Sequence, residues 1–142
     1  MLKMRYPFLA GFICLASVLV AGCGEPETAN LKDANAEYES SVNAMDSGSF
    51  DQAVTHFTAA LDAGGLNPDQ YGDSLLRRAE CYGRSGDFAA AHTDLDNAEM
   101  GADLDRVYAT RSFVFSKEGK TKEASAAMSK AKKENRSVKA IK

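Results

Sequence analysis

Few residue types in this 142-residue chain can act as nucleophiles, metal ligands or acid–base groups, and their spacing decides what they can do. There are three cysteines and two histidines. His56 and His92 each stand alone, with no cysteine or carboxylate at ligand spacing, so no metal site is read. No serine–histidine–carboxylate or cysteine–histidine set is placed by a motif, and no phosphate-cradling glycine loop is present. The twenty carboxylates can be paired on paper, but nothing singles out a pair. The expectation is a chain without catalysis, cofactor or metal. Cys81 falls in the apolar stripe of a predicted helix, where a free cysteine behaves as a small buried hydrophobe. Cys23 has a different setting. Lys3 and Arg5 precede an apolar run from Phe8 to Val20, and the small residues Ala21-Gly22 lie directly before the cysteine. This is a secretory signal layout, and the run is shorter than the roughly 20 residues of a comfortable membrane span. Cys14 would leave with the signal, so Cys81 would have no disulfide partner.

Val20-Ala21-Gly22-Cys23 resembles the bacterial lipobox. The resemblance implies cleavage after Gly22 and acylation of Cys23, and two or three acyl chains hold a protein stably on a bilayer. It also implies a location in the cell envelope, facing the periplasm. With Gly24 rather than aspartate after the cysteine, the outer membrane is favoured over the inner. Residues 23–30 read as a lipidated tether, and the seven residues from Gly24 to Asn30 reach about 25 Å when extended.

The elements that must position any working surface show themselves through three related segments. Ser47-Gly48-Ser49-Phe50-Asp51-Gln52-Ala53, Ser85-Gly86-Asp87-Phe88-Ala89-Ala90-Ala91 and Glu118-Gly119-Lys120-Thr121-Lys122-Glu123-Ala124 each place an alanine five residues after a glycine. The glycines are separated by 38 and 33 residues. Helix, glycine turn and helix at such a period signal a stacked repeat array. Apolar residues recur at helical spacing, as in Phe50, Val54, Phe57 and Leu61, and strand alternation is absent. Six helices are predicted, at 31–47, 50–63, 70–85, 88–100, 103–118 and 121–135. The repeat glycines fit the left-handed position just past a helix end. Ser49 with Gln52 predicts a capping box, and Asp87 predicts a cap for the fourth helix. Gly64-Gly65-Leu66-Asn67-Pro68 is a longer break, which accounts for the wider first spacing.

Over residues 31–135 this pattern resembles tetratricopeptide repeats, in three copies at about 34–67, 72–104 and 105–135. The second-helix motif is carried by Ala53/Phe57/Ala60, Ala91/Leu95/Ala98 and Ala124/Met128/Ala131. The first-helix motif is carried best by Leu75, Ala79 and Tyr82. Glu37, Ser41 and Ala44 depart from it in the first copy, and Arg78 and Arg111 stand where the family usually has leucine. The resemblance implies an all-α fold, a short right-handed superhelix of three helix pairs. It further implies a concave groove lined by the first helices, presenting Tyr38, Val42, Leu76, Arg77, Arg106, Thr110 and Phe113. Tyr38, Leu76 and Phe113 would be apolar anchors there, and Arg77 and Arg106 would meet a partner's carboxylate.

Together these readings describe a lipid-anchored adaptor or scaffold that binds a protein or peptide partner. The alternative is an assembly or pilot factor for an outer-membrane machine. The net charge is −3, yet Lys117 to Lys142 holds nine basic and three acidic residues. Residues 136–142 read as a basic tail. Its lysines lack interleaved aromatics, so nucleic acid is not an expected partner.

Overall fold

The computed structural model describes residues 26–142, with side chains from residue 31 onward. The predicted signal, the expected acylation site at Cys23 and the start of the predicted tether lie outside the described residues. Six helices and no strand occur among those residues, so the fold is all-α. They are α1 (Pro26–Asp46), α2 (Phe50–Ala63), α3 (Pro68–Ser85), α4 (Phe88–Ala98), α5 (Leu104–Lys117) and α6 (Thr121–Glu134). α1 starts inside the segment read as a tether. Pro26 opens it, and proline's fixed φ suits a first helical position. α3 also starts earlier than read, because Asn67 builds a capping box there that was not expected. The Asn67 side chain accepts from the Gln70 N–H at 2.8 Å, and the Gln70 side chain accepts from the Asn67 N–H at 3.4 Å.

Ser49 makes no side-chain cap, and the reciprocal half of a capping box is closed to it. Its N–H, which a capping box would pair with Gln52, already donates to the Ala44 carbonyl at 2.8 Å. That bond closes the preceding turn, and it recurs. Asp87 N–H donates to Tyr82 O at 2.9 Å, and Lys120 N–H donates to Phe115 O at 2.8 Å. Each spans five residues across a left-handed glycine, with φ of 76° at Gly48, 90° at Gly86 and 82° at Gly119. This is the Schellman closure, which satisfies carbonyls left over at a helix end. Asp87 then caps α4 as expected, accepting from the Ala90 N–H at 3.1 Å. A Cβ on Gly86 would meet nothing within 4 Å. Gly86→Ala should therefore cost only the left-handed backbone penalty, about 1–2 kcal/mol, read as a lowered urea midpoint with an unchanged slope.

The helices pack as three hairpins, α1–α2, α3–α4 and α5–α6. Between hairpins, α3 touches both α1 and α5, and α2 and α4 each touch the following odd helix, whereas α2 and α4 do not meet. The odd helices thus form an inner row and the even helices stand behind it. The repeated alanines make this close stacking possible. Ala53, Ala60, Ala91, Ala98 and Ala131 are essentially inaccessible, with Phe57 and Leu95 filling the spaces between them. At Gly83 even a methyl group would be tight, since a Cβ would stand 3.2 Å from both Phe113 and Val114. One core cluster joins Leu75, Leu76, Ala79, Leu95, Val107, Phe113 and Val114 across α3, α4 and α5. A second joins Ala53, Phe57 and Cys81 to Tyr38, Val42 and Met45 of α1. Burial raises the Cys81 thiol to about 11, Glu80 adding to the effect. It stays protonated and inert at neutral pH.

Candidate functional site

The inner row places the residues read as a groove on three consecutive odd helices, and a carboxylate that sequence reasoning missed organises them. Asp73, on α3, accepts from the Tyr38 hydroxyl of α1 at 2.8 Å and from Arg77 Nε of α3 at 2.5 Å. Its other oxygen accepts from the Arg106 guanidinium of α5. One nearly buried side chain therefore ties α1, α3 and α5 together. Burial alone would push this carboxyl up. The hydrogen bonds from Arg106 and Tyr38, with the nearby Arg77 charge, outweigh that and hold it below its ordinary 3.8. The Tyr38 hydroxyl is raised, first by burial and then by the Asp73 carboxylate that accepts its proton, so it remains a donor. The only advance signal for this hub was the Asp73–Arg77 spacing of four, which puts the two on one helix face.

A group with a depressed folded-state pKa contributes stability above its unfolded value and loses it as pH falls through the folded one. For Asp73 that window lies below 3.8. The stability gap between the chain and Asp73→Asn should accordingly be full near pH 6 and shrink as pH falls below 3.8. Parallel urea titrations at several pH values would read this, and a gap that does not vary with pH would contradict it.

The remaining groove residues are placed as follows. Arg77 and Arg106, read as partners for a foreign carboxylate, are engaged by Asp73, although the Arg106 side chain keeps 45% exposure. Tyr38 meets Phe57 edge-on, with centroids 6.4 Å apart and planes at 67°. Val42 packs beside it in the cluster around Phe57 and Cys81. Leu76, Thr110 and Phe113 are buried, at 2%, 4% and 5% exposure. Leu76 and Phe113 belong to the core, and part of their cover comes from the chain's own last residues. Val138, Lys139 and Ile141 line a cleft of about 270 Å³ with Leu76, Arg77, Arg106 and Thr110. Ala140, Ile141 and Lys142 line a second, between α5 and α6, with Phe113 and Met128. The basic tail is thus seated on the inner face. The space left beside it in the first cleft is below the 300–1,000 Å³ of ordinary small-molecule pockets.

The two histidines join helices. His56 of α2 sits 2.7 Å from Glu37 of α1. His92 of α4 sits 3.1 Å from Glu118 and rests on the Phe115 ring. Glu118 is held low, chiefly by its hydrogen bond from Lys120 and then by His92. Among the described residues no three cysteine, histidine or carboxylate side chains gather at metal-binding distance. No helix there is long and apolar enough to cross a membrane.

Compared with known proteins, the chain matches no family model, no curated protein and no solved structure.

Proposed function

We propose that this protein is a non-catalytic, lipid-anchored helical-repeat adaptor of the bacterial cell envelope, similar to tetratricopeptide-repeat proteins, that binds a partner protein or peptide on the inner face of α1, α3 and α5. The observation that carries the reading is that this face holds a non-helical stretch of polypeptide, the chain's own residues 138–142, rather than standing bare. Stacked helical repeats present long continuous surfaces of this kind. The repeated Schellman turns and buried alanines support the repeat reading. The lipobox-like Val20-Ala21-Gly22-Cys23 supports the anchor.

The binding face is tested by photo-crosslinking in envelope membranes. p-Benzoylphenylalanine replaces Arg106, exposed on the inner face, or Thr55, exposed on α2. A discrete adduct is expected from position 106 and not from position 55. No adduct from 106, or the same adducts from both, would defeat the assignment. The anchor is tested by fractionation: Cys23→Ser should leave the protein in the soluble fraction, and a variant that still sediments after a carbonate wash would count against lipidation.

A further inference from the structure

The eight residues after α6 do not run out into solvent. Asn135 reverses the chain. Its side-chain oxygen accepts from the Ser137 N–H at 3.0 Å and the Ser137 hydroxyl at 2.6 Å, and its carbonyl accepts from the Val138 N–H at 3.2 Å. Its amide donates to Asp105 at the start of α5, at 2.8 Å, fixing the turn to the fold. The segment then crosses α5 toward α3 with a clear division of chemistry. Val138 and Ile141, three residues apart, are half-buried, while Arg136, Lys139, Ala140 and Lys142 are exposed. Ile141 packs against the core cluster containing Leu76 and Phe113. Arg84, itself held by Glu80 at 2.7 Å, donates to the main-chain oxygen of Lys142 at 2.7 Å.

A stretch of seven residues with three cations has little apolar surface with which to drive its own ordering. What holds it is the face: two aliphatic seats and one guanidinium reaching a main-chain oxygen. Neither feature is particular to this tail. Main-chain hydrogen bonding plus spaced side-chain seats is how extended peptides are generally recognised. Arg77 and Arg106 remain committed to Asp73, so selection falls to the two aliphatic seats and to the Arg84 guanidinium.

We propose that residues 136–142 are the built-in occupant of a peptide site, and that this site takes from a partner a non-helical segment with two branched aliphatic side chains three residues apart. A main-chain oxygen one residue beyond the second aliphatic meets Arg84. The inference rests on the peptide-binding reading above and adds the partner's chemistry and its gate. A partner must displace a segment whose short linkage gives it an effective concentration of roughly millimolar order. A face occupied nine times in ten weakens a partner's apparent affinity about ten-fold.

Ile141 makes the test direct, because Ile13 is the only other isoleucine in the sequence. The δ1-methyl spectrum of the isotope-labelled full chain in detergent micelles then carries at most two isoleucine signals, and Ile141→Val assigns one by deletion. The Ile141 signal is expected away from the unstructured value. It should move to that value as the synthetic peptide Asn-Arg-Ser-Val-Lys-Ala-Ile-Lys is added to several millimolar. In Val138→Asp/Ile141→Asp, whose helices should stay intact by circular dichroism, the fluorescein-labelled peptide should bind about ten-fold tighter than to the unaltered chain. An Ile141 signal at the unstructured value from the outset overturns the proposal. So does a signal that the peptide does not move, equal peptide binding by both chains, or a dimer in which the tail seats on a second copy. An adduct from position 106 with an unresponsive Ile141 would remove the built-in occupant and leave the binding face standing. A responsive Ile141 with no adduct would do the reverse.

Discussion

Asp94→Ala is expected to lower the unfolding free energy by about 3–5 kcal/mol, out of the roughly 5–15 kcal/mol that holds an ordinary domain together. The residue looks unremarkable in sequence, one of the two aspartates on α4. In the fold it is almost completely buried, and it accepts two bonds from Arg78: Nε to Oδ2 at 2.8 Å and Nη2 to Oδ1 at 2.7 Å. The remaining Nη1 of Arg78 donates to the Thr58 hydroxyl of α2 at 2.9 Å. This one guanidinium therefore fastens α3 to the second helix of its own hairpin and to the second helix of the preceding one. Removing the carboxylate leaves a cation with 16% exposure and no countercharge, and stranding a buried charge is what makes such losses large. Replacing both partners removes the charge along with the bond. Arg78→Leu/Asp94→Leu should thus come within about 1 kcal/mol of the parent or exceed it. Asp96→Ala supplies the surface comparison. Asp96 meets Arg111 at 2.9 Å but is 70% exposed, so its loss should cost no more than about 1 kcal/mol. Urea midpoints of the four chains decide the matter. A loss at Asp94 as small as that at Asp96 would show that the buried pair does not hold the hairpins together.

Arg78 also marks where the sequence was readable and where it was not. Helix existence was legible because apolar residues recur at helical spacing and the three glycines punctuate them; five of the six predicted helices lie within a few residues of their observed bounds at both ends. The alanine motifs were legible for a related reason: close stacking requires small residues at fixed offsets, and that constraint is written locally. Arg78 at a position where leucine was expected read only as a departure. Its partners Asp94 and Thr58 lie sixteen and twenty residues away, and no local pattern announces a pair at that distance. Asp73 was missed on the same grounds, since two of its three partners sit on other helices. The capping box read at Ser49 is not formed: the glycine closure takes the N–H that Gln52 would have met, and the Ser49 hydroxyl caps nothing. Leu76 and Phe113 show the ambiguity of apolar stripes: periodicity says that a residue faces protein, but not whether that protein is a partner or the chain itself. The return of residues 136–142 was unreadable, because a basic, alanine-containing tail has no periodicity to project.

Phe57→Ala is expected to be about as damaging as Asp94→Ala, at roughly 3–5 kcal/mol, through cavity formation instead of stranded charge. Phe57 is the bulky residue of the first repeated alanine motif and is fully buried. It lies on α2, with Tyr38 of α1 against its ring and Cys81 of α3 in the same cluster. A cavity there opens at the junction of three helices. The small residues that let those helices approach, Ala53 and Ala60, are already inaccessible and cannot move inward to fill it without a shift of backbone. The equivalent residue of the third motif makes the comparison. Met128 on α6 is only half-buried, and α6 packs on α5 with no helix beyond it. Met128→Ala should cost about 1 kcal/mol, in proportion to the area that Met128 keeps from water. The two substitutions share a motif position and differ in what stands behind it, so unequal losses are what a stacked array with a solvent-facing last helix requires. Equal losses would mean that α6 is packed as deeply as α2, with some further element covering the face that Lys122, Ser125, Ala126 and Ser129 now expose.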